Sequence, residues 1–467
     1  MRNTFLLLFF FTIAIQSSVA QEHTPYSRYG LGFAADNNNA QSAQMGGLGA
    51  AFQSGETVNY LNPASYAALQ LTTFDAGFGG NFTTLRTTAL RAKQNTFSLN
   101  YVSLFFPVNK YWTTGVSLLP FSAKDYLVSQ TQTFDTSNSV KYEYEGTGTL
   151  YNVSWGNGFK YKGFHLGFNI GYLFGKLNNN TLVYPLDKIT GSFDNSAYTT
   201  WTFTDTKVSS VIWNAGAQYN LTINSKKDSS KIYNIVFGLS GSAPIKFSKG
   251  TNIDNGTYSF ESGYLSSRTP DAGVNDFITD FIRPRTLTTG ILDTLSETFG
   301  QAASIKIPAT FNIGIMASRG IKWKVGIDFK FQPWSKYVGY ENNSASRLSN
   351  SWRVAFGGEI LPNDKDFSKF FARLKYRAGF NYTRTNININ NKAIDEFGIN
   401  FGIGIPIIIT TASNEGLLQK VYTYAFNIGV EAGSRGTIQN NLVRENFVRL
   451  KFGISLNDKW FVKRRYY

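Results

Sequence analysis

The sequence predicts an all-β fold: a transmembrane antiparallel β-barrel of about fourteen strands, with an N-terminal hatch segment inside it. Three observations predict it. The chain opens with a leader for export. Its composition is rich in aromatic residues and glycine and has no cysteine. Its strand-like stretches alternate with a period of two and carry the aromatic residues on one face.

The leader comes first in the chain. Arg2 precedes an apolar run over residues 5–15, and Ser18-Val19-Ala20 supplies small residues for a cut after Ala20. This pattern reads as a secretory signal peptide over residues 1–20. The run is shorter than the roughly 20 apolar residues of a membrane-spanning helix. No cysteine follows it, so the chain is not read as a lipid-anchored precursor. The whole chain holds 43 Gly, 40 Phe and 26 Tyr but only 2 His and no Cys, which favours an outer-membrane barrel over a soluble β-protein. The formal net charge is +15, yet the cations are scattered, without the basic stripe or recognition motif of a nucleic-acid binder. Outer-membrane lipids and lipopolysaccharide are the expected partners of such a charge.

Residues 21–70 follow, with neither helical nor strand periodicity. They end in NYLNPASYAAL, where Asn62, Pro63 and Ala64 form a candidate junction between this segment and the first strand. Asn62 can hold a turn by side-chain hydrogen bonding, and Pro63 fixes φ and removes a donor. The same residues also read as a helix start, with Asn62 as the cap and Pro63 at the first position.

The barrel is expected over residues 71–457. In TFNIGIMA, Phe311, Ile313 and Ile315 oppose Asn312, Gly314 and Met316; in WKVGIDFKF, Trp323, Val325, Ile327 and Phe329 oppose Lys324, Gly326, Asp328 and Lys330. An apolar face against a polar and glycine face is the lipid-out, lumen-in pattern. Tyr422, Phe426 and Val430 are placed toward lipid, and Asn427 and Glu431 toward the lumen. The expected strands span 71–82, 94–107, 110–122, 147–161, 163–178, 208–223, 231–245, 306–319, 321–334, 351–361, 371–384, 395–409, 420–433 and 446–457. Every even-numbered connection is fairly short, whereas 123–146, 179–207 and 246–305, all odd-numbered, are long. Short periplasmic turns and long outer loops are the known asymmetry of such barrels. An even strand count then puts both ends of the mature chain in the periplasm. A barrel of this width cannot fill itself with side chains, so residues 21–70 are read as a plug. Residues 458–467 read as a basic periplasmic tail.

A family resemblance enters with AQSAQMGGLGAAFQSGETVNYLNPASYAAL, which resembles the hatch of the FadL family of outer-membrane transporters. IPATFNIGIMASRGIKWKVGIDFKFQPWSKY and YRAGFNYT resemble the C-terminal half of the same barrels. The resemblance implies a monomeric channel in the outer membrane of a Gram-negative bacterium. It would take up hydrophobic molecules, such as long-chain fatty acids, passively. FadL-like barrels also serve as docking or accessory subunits of protein secretion systems, which implies the alternative: a secretion-system partner and no transport. The KWFVKRRYY tail and the TPYSRYGLG start depart from the family pattern.

The chemistry available is that of binding. No convergent catalytic set, metal ligand set or cofactor motif is found, and His165 reads as structural. Alternation turns a mixed-charge wall into the lumen. Of it, Lys330, Arg373, Lys375, Arg377, Arg449 and Lys451 are candidates for holding a ligand headgroup or for anchoring the hatch. Phe277, Ile278 and Phe281 recur at helical spacing in VNDFITDFI and form a candidate outer capture face. The GFGG and FGIGI glycines are expected to make room for the plug.

Overall fold

The computed structural model describes residues 24–134, 138–187, 198–224, 232–247, 252–261, 291–302, 305–339, 348–363, 370–412 and 418–458. The leader, Phe277, Ile278, Phe281 and the tail from Lys459 lie outside the described residues, as does the side chain of Tyr422.

Fourteen antiparallel strands close into a barrel. They are β1 (Thr72–Arg86), β2 (Arg91–Pro107), β3 (Trp112–Thr133), β4 (Asn138–Tyr161), β5 (Phe164–Asp187), β6 (Tyr198–Asn224), β7 (Ile232–Ser242), β8 (Thr310–Arg319), β9 (Trp323–Gln332), β10 (Ser351–Ile360), β11 (Lys375–Ile389), β12 (Lys392–Ala412), β13 (Leu418–Gly436) and β14 (Arg444–Asp458). Each pairs with its chain neighbour; β7 meets β8 across the longest connection, and β14 returns to β1 in register from Thr72↔Asp458 to Arg86↔Arg444. Closure leaves the barrel without the unpaired edges that an open sheet exposes.

The period-two pattern sorts the side chains as expected. On β8 and β9, Phe311, Ile313, Ile315, Ile327 and Phe329 are exposed on the outer wall, while Gly314, Met316 and Gly326 are buried inside. Val430 is exposed, and Asn427 and Glu431 are buried. An outer wall of exposed aliphatic and aromatic side chains over so many strands is stable only in contact with lipid.

The two ends of the barrel differ. One has compact turns, such as Lys162–Gly163 between β4 and β5, with Lys162 at φ 53°. At the other end the strands run on. β3 has 22 residues, β4 and β5 24 each and β6 27, well beyond the roughly 9–11 that cross a bilayer. The expected loops 123–146 and 179–207 are therefore largely paired strand: the β3–β4 ladder reaches Thr133↔Ser139. Two strands of the third connection, Asn252–Glu261 and Ile291–Ala302, extend the sheet from β6. In stretches such as KYEYEG the outer face carries tyrosines and the buried inner face carries Glu143 and Glu145, so the apolar lipid-facing alternation no longer marks them.

Residues 24–71 run down the inside of this barrel. Thr24 lies at the long-loop end, where its N–H donates to the Asp125 carbonyl at 2.8 Å and its hydroxyl to Glu445. The described chain thus starts at the end opposite to Thr72 and Asp458, whereas the sequence put both chain ends together. Strand parity fixes where β1 begins. It does not fix where a preceding segment long enough to cross the lumen begins.

Candidate functional site

The site is the contact between the inner segment and the barrel wall. Its local structure follows from capping residues. Asn39 accepts from Ser42 N–H at 2.7 Å and starts a single helical turn, Ala40–Ala43; Gly46 and Gly47, at φ 74° and 83°, then reverse the chain. Asn62 accepts from Ala64 N–H at 3.0 Å and caps the 3-10 helix Pro63–Ala68, with Pro63 at its first position. Asn59 knits the segment to itself by donating to the carbonyls of Gly49 (2.7 Å) and Phe52 (3.0 Å).

Apolar packing joins segment and wall in two clusters. Met45, Leu48, Ala51 and Phe52 pack on Val236, Met316 and Ala355; Val58, Tyr60, Tyr66 and Leu69 pack on Tyr101, Phe105 and Leu119. Burial pushes the phenol pKa values of Tyr60 and Tyr66 upward, so both hydroxyls stay protonated. They bond to Ser103 and Asn169, respectively.

Polar pins surround the segment on every side. Gly49 and Ala50 donate backbone N–H bonds to Asp328 on β9, Gln218 on β6 donates to the Ala50 carbonyl at 2.9 Å, and Ser240 on β7 donates to the Leu61 carbonyl at 2.8 Å. Val58 N–H donates to Asp75 on β1 at 3.1 Å, and Lys375 on β11 pairs with Glu56 at 2.5 Å. Arg377 bonds Glu359 (2.6 Å), Asn427 (2.7 Å) and Gln44 (2.7 Å), and Gln41 reaches the same Glu359 at 2.9 Å. Arg353 on β10 pairs with Asp36 at 2.9 Å and donates to the Gly46 carbonyl. Burial works to raise the Asp36 pKa, but Arg353, aided by Lys451, Arg449 and Lys330, outweighs it and holds the carboxyl below the usual range.

Wall glycines allow the approach. A Cβ on Gly238 would stand 1.9 Å from the Ala50 carbonyl oxygen, and one on Gly379 would stand 2.2 Å from Gly46 N. Gly402, in FGIGI, faces Gln44 as expected of a plug contact. The GFGG glycines differ: Gly77, Gly79 and Gly80 meet Tyr101, Asn100 and Phe97 of the neighbouring strand. They make room for side chains of the wall.

The expected lumen cations fall into two groups. Lys375 and Arg377 contact the inner segment or its bound carboxylate. Lys330, Arg449 and Lys451 line a cavity of about 180 Å³ together with Asp36, Arg353, Glu396 and Arg435. Arg373 belongs to neither group. It lies on the 3-10 turn Phe370–Arg373 ahead of β11, since that strand begins four residues later than expected. The sequence reading missed Glu396 and Arg435, which pair at 2.6 Å, and Arg435 also lies 3.9 Å over the Phe33 ring. Glu396 already lay within the expected strand 395–409 with inward parity, whereas Arg435 lies two residues beyond the expected strand 420–433 and shares the inward parity of Glu431.

A second cavity of about 180 Å³ and one of about 30 Å³ also lie beside the inner segment. A larger hollow of about 1010 Å³ lies against the outward apolar side chains of β9–β13, including Val325, Phe356, Phe380 and Phe401. It is a concavity in the lipid-facing wall.

Solved structures share this fold. A FadL homologue of Pseudomonas aeruginosa superposes with a TM-score of 0.55 at 13% identity, over 91% of this chain and 98% of that one. The toluene transporter TbuX of Ralstonia pickettii gives 0.54 at 12% identity, over 90% and 98%. The toluene transporter TodX of P. putida gives 0.51 at 12%, over 91% and 99%. The barrel is thus FadL-like in fold, as the sequence resemblance implied. No curated protein matches the chain by sequence. The family model of BamG matches residues 1–467, its entire length, and the chain belongs to the BamG family.

Proposed function

We propose that this protein is an outer-membrane barrel sealed by its own hatch, and that it serves as a docking subunit for a partner in protein secretion or assembly at that membrane. The observation that carries this reading is the fixed, charged lumen. Small-molecule sites enclose about 300–1,000 Å³ and are mostly apolar. The cavities beside the hatch are smaller, and the one at Lys330 and Arg449 is ringed by ionised groups. Asn62, Pro63 and Ala64 act as the lower anchor of the hatch, and Arg377 and Lys375 act as side anchors. The extended strands at the long-loop end carry exposed Phe134, Tyr198, Leu295 and Phe299 beyond the lipid-facing wall. Exposed apolar side chains on projecting strands fit a protein partner.

A second reading is passive passage of apolar molecules, favoured by the fold shared with the toluene transporters. It requires the hatch to leave its buried bonds. Purified full-length barrel in liposomes separates the two. The docking reading expects no more toluene or oleate entry than protein-free liposomes show, and a stoichiometric outer-membrane complex after mild detergent extraction. Entry above that background, with the barrel recovered alone, would contradict it.

A further inference from the structure

The short-turn end bears a belt that neither the hatch nor docking at the far end uses. Aromatic side chains ring the outer wall there in contacting pairs. Trp112 stacks on Phe159 at 6.2 Å, Phe164 meets Tyr219 at 4.6 Å, and Tyr233 meets Trp323 at 6.4 Å. Just beyond this belt stand Lys110, Lys162, Arg319 and Lys322. Arg319 is directly cross-strand from Trp323 on one side and Tyr233 on the other. Lys110 lies 4.8 Å over the Tyr111 ring and Lys162 5.4 Å over the Tyr161 ring.

Charge pairing sets these four cations apart from several at the long-loop end, although Arg86, Arg91 and Lys93 there also have no ion pair among the described residues. At the long-loop end Lys141, Lys176, Lys207 and Arg384 are paired with Glu143, Asp205, Asp254 and Asp395. Among the described residues, none of the four short-turn cations has an acidic partner. Unpaired cations beside aromatic rings at the depth of the headgroups match the anionic face of a phospholipid leaflet. The guanidinium of Arg319, on the strand between those of Tyr233 and Trp323, suits a phosphate oxygen pair.

We infer that the Lys110, Lys162, Arg319 and Lys322 band binds anionic phospholipid headgroups in the leaflet at the short-turn end. The bound lipids hold the barrel at a defined depth and tilt. Native mass spectrometry of the full-length barrel with equal phosphatidylglycerol and phosphatidylcholine tests this. Phosphatidylglycerol is expected to be retained preferentially, and the preference to fall about fivefold for each cation replaced. The combined variant Lys110→Gln, Lys162→Gln, Arg319→Gln and Lys322→Gln should therefore lose it. The control Lys141→Gln, Lys176→Gln, Lys207→Gln and Arg384→Gln should keep it. Equal retention of the two lipids by the unmodified protein, an unchanged preference in the first variant, or equal loss in the control overturns the inference. If the combined variant does not fold, as judged by heat-modifiable migration, Arg319→Gln and Lys322→Gln are measured singly. No loss in either then overturns it. Neither result bears on whether the lumen is sealed.

Discussion

Asp328 and Ala50 join wall to hatch directly: the Asp328 carboxylate accepts the Ala50 backbone N–H at 2.7 Å, and that of Gly49 beside it. Asp328→Ala would leave two buried N–H groups without an acceptor, at about 1–3 kcal/mol each. The variant barrel should fold but lose its heat-resistant migration at lower temperature than wild type. Asp328→Asn, which keeps an acceptor, should fall between the two. Indistinguishable midpoints for Asp328→Ala and wild type would mean that this contact does not hold the segment.

Gly238→Leu tests the same contact from the wall. Its side chain would enter the space of the Ala50 carbonyl, so the hatch must move or the strand must bend. Ion conductance across planar bilayers should rise, whereas Leu239→Val, on the lipid face, should leave it at the wild-type level. Equal conductance of Gly238→Leu and wild type would count against a tightly fitted lumen.

Arg377 and Glu359 form a buried pair at 2.6 Å. Removing one member of a buried pair costs up to about 3–5 kcal/mol, and the loss here is moderated because Lys324, at 3.7 Å, and Gln41 still face Glu359. Arg377→Ala should therefore lower resistance to guanidinium more than Arg377→Met combined with Glu359→Leu. Additive losses in the double variant would show that the two side chains are not coupled.

The pH response follows from Asp36. Its pKa is lowered in the folded chain, so the stabilisation it gives through Arg353 is complete above the unfolded carboxylate pKa of about 3.9. That stabilisation is lost only as pH falls through the lower folded value. Conductance should be the same at pH 5 and pH 7.5, and Asp36→Asn should make the channel leakier at both. A wild-type channel that opens between those values would argue against the Asp36 clamp.

The strand count was legible because lipid on one side and a polar lumen on the other impose a strict period of two. Each of the fourteen expected strands has its counterpart in the barrel. Beyond the lipid, as over KYEYEG, where the buried face carries Glu143 and Glu145, that pressure ends, and the ladders there were read as loops. The path of the inner segment was hidden for another reason. Its order comes from pins such as Asp328 on Ala50, Ser240 on Leu61 and Lys375 on Glu56, whose members lie far apart in sequence. A lumen-facing lysine likewise looks the same whether it pins a hatch, as Lys375 does, or lines a cavity, as Lys330 does.

Single-channel conductance of the full-length barrel against one lacking residues 24–58 tests the sealed lumen most directly. The strands pair with one another around the whole circumference, so the shortened chain should fold to a barrel. The account predicts a closed full-length protein and an open, ion-conducting channel in the deletion. Equal conductance of the two folded proteins would contradict it, because the segment would then not be what fills the barrel.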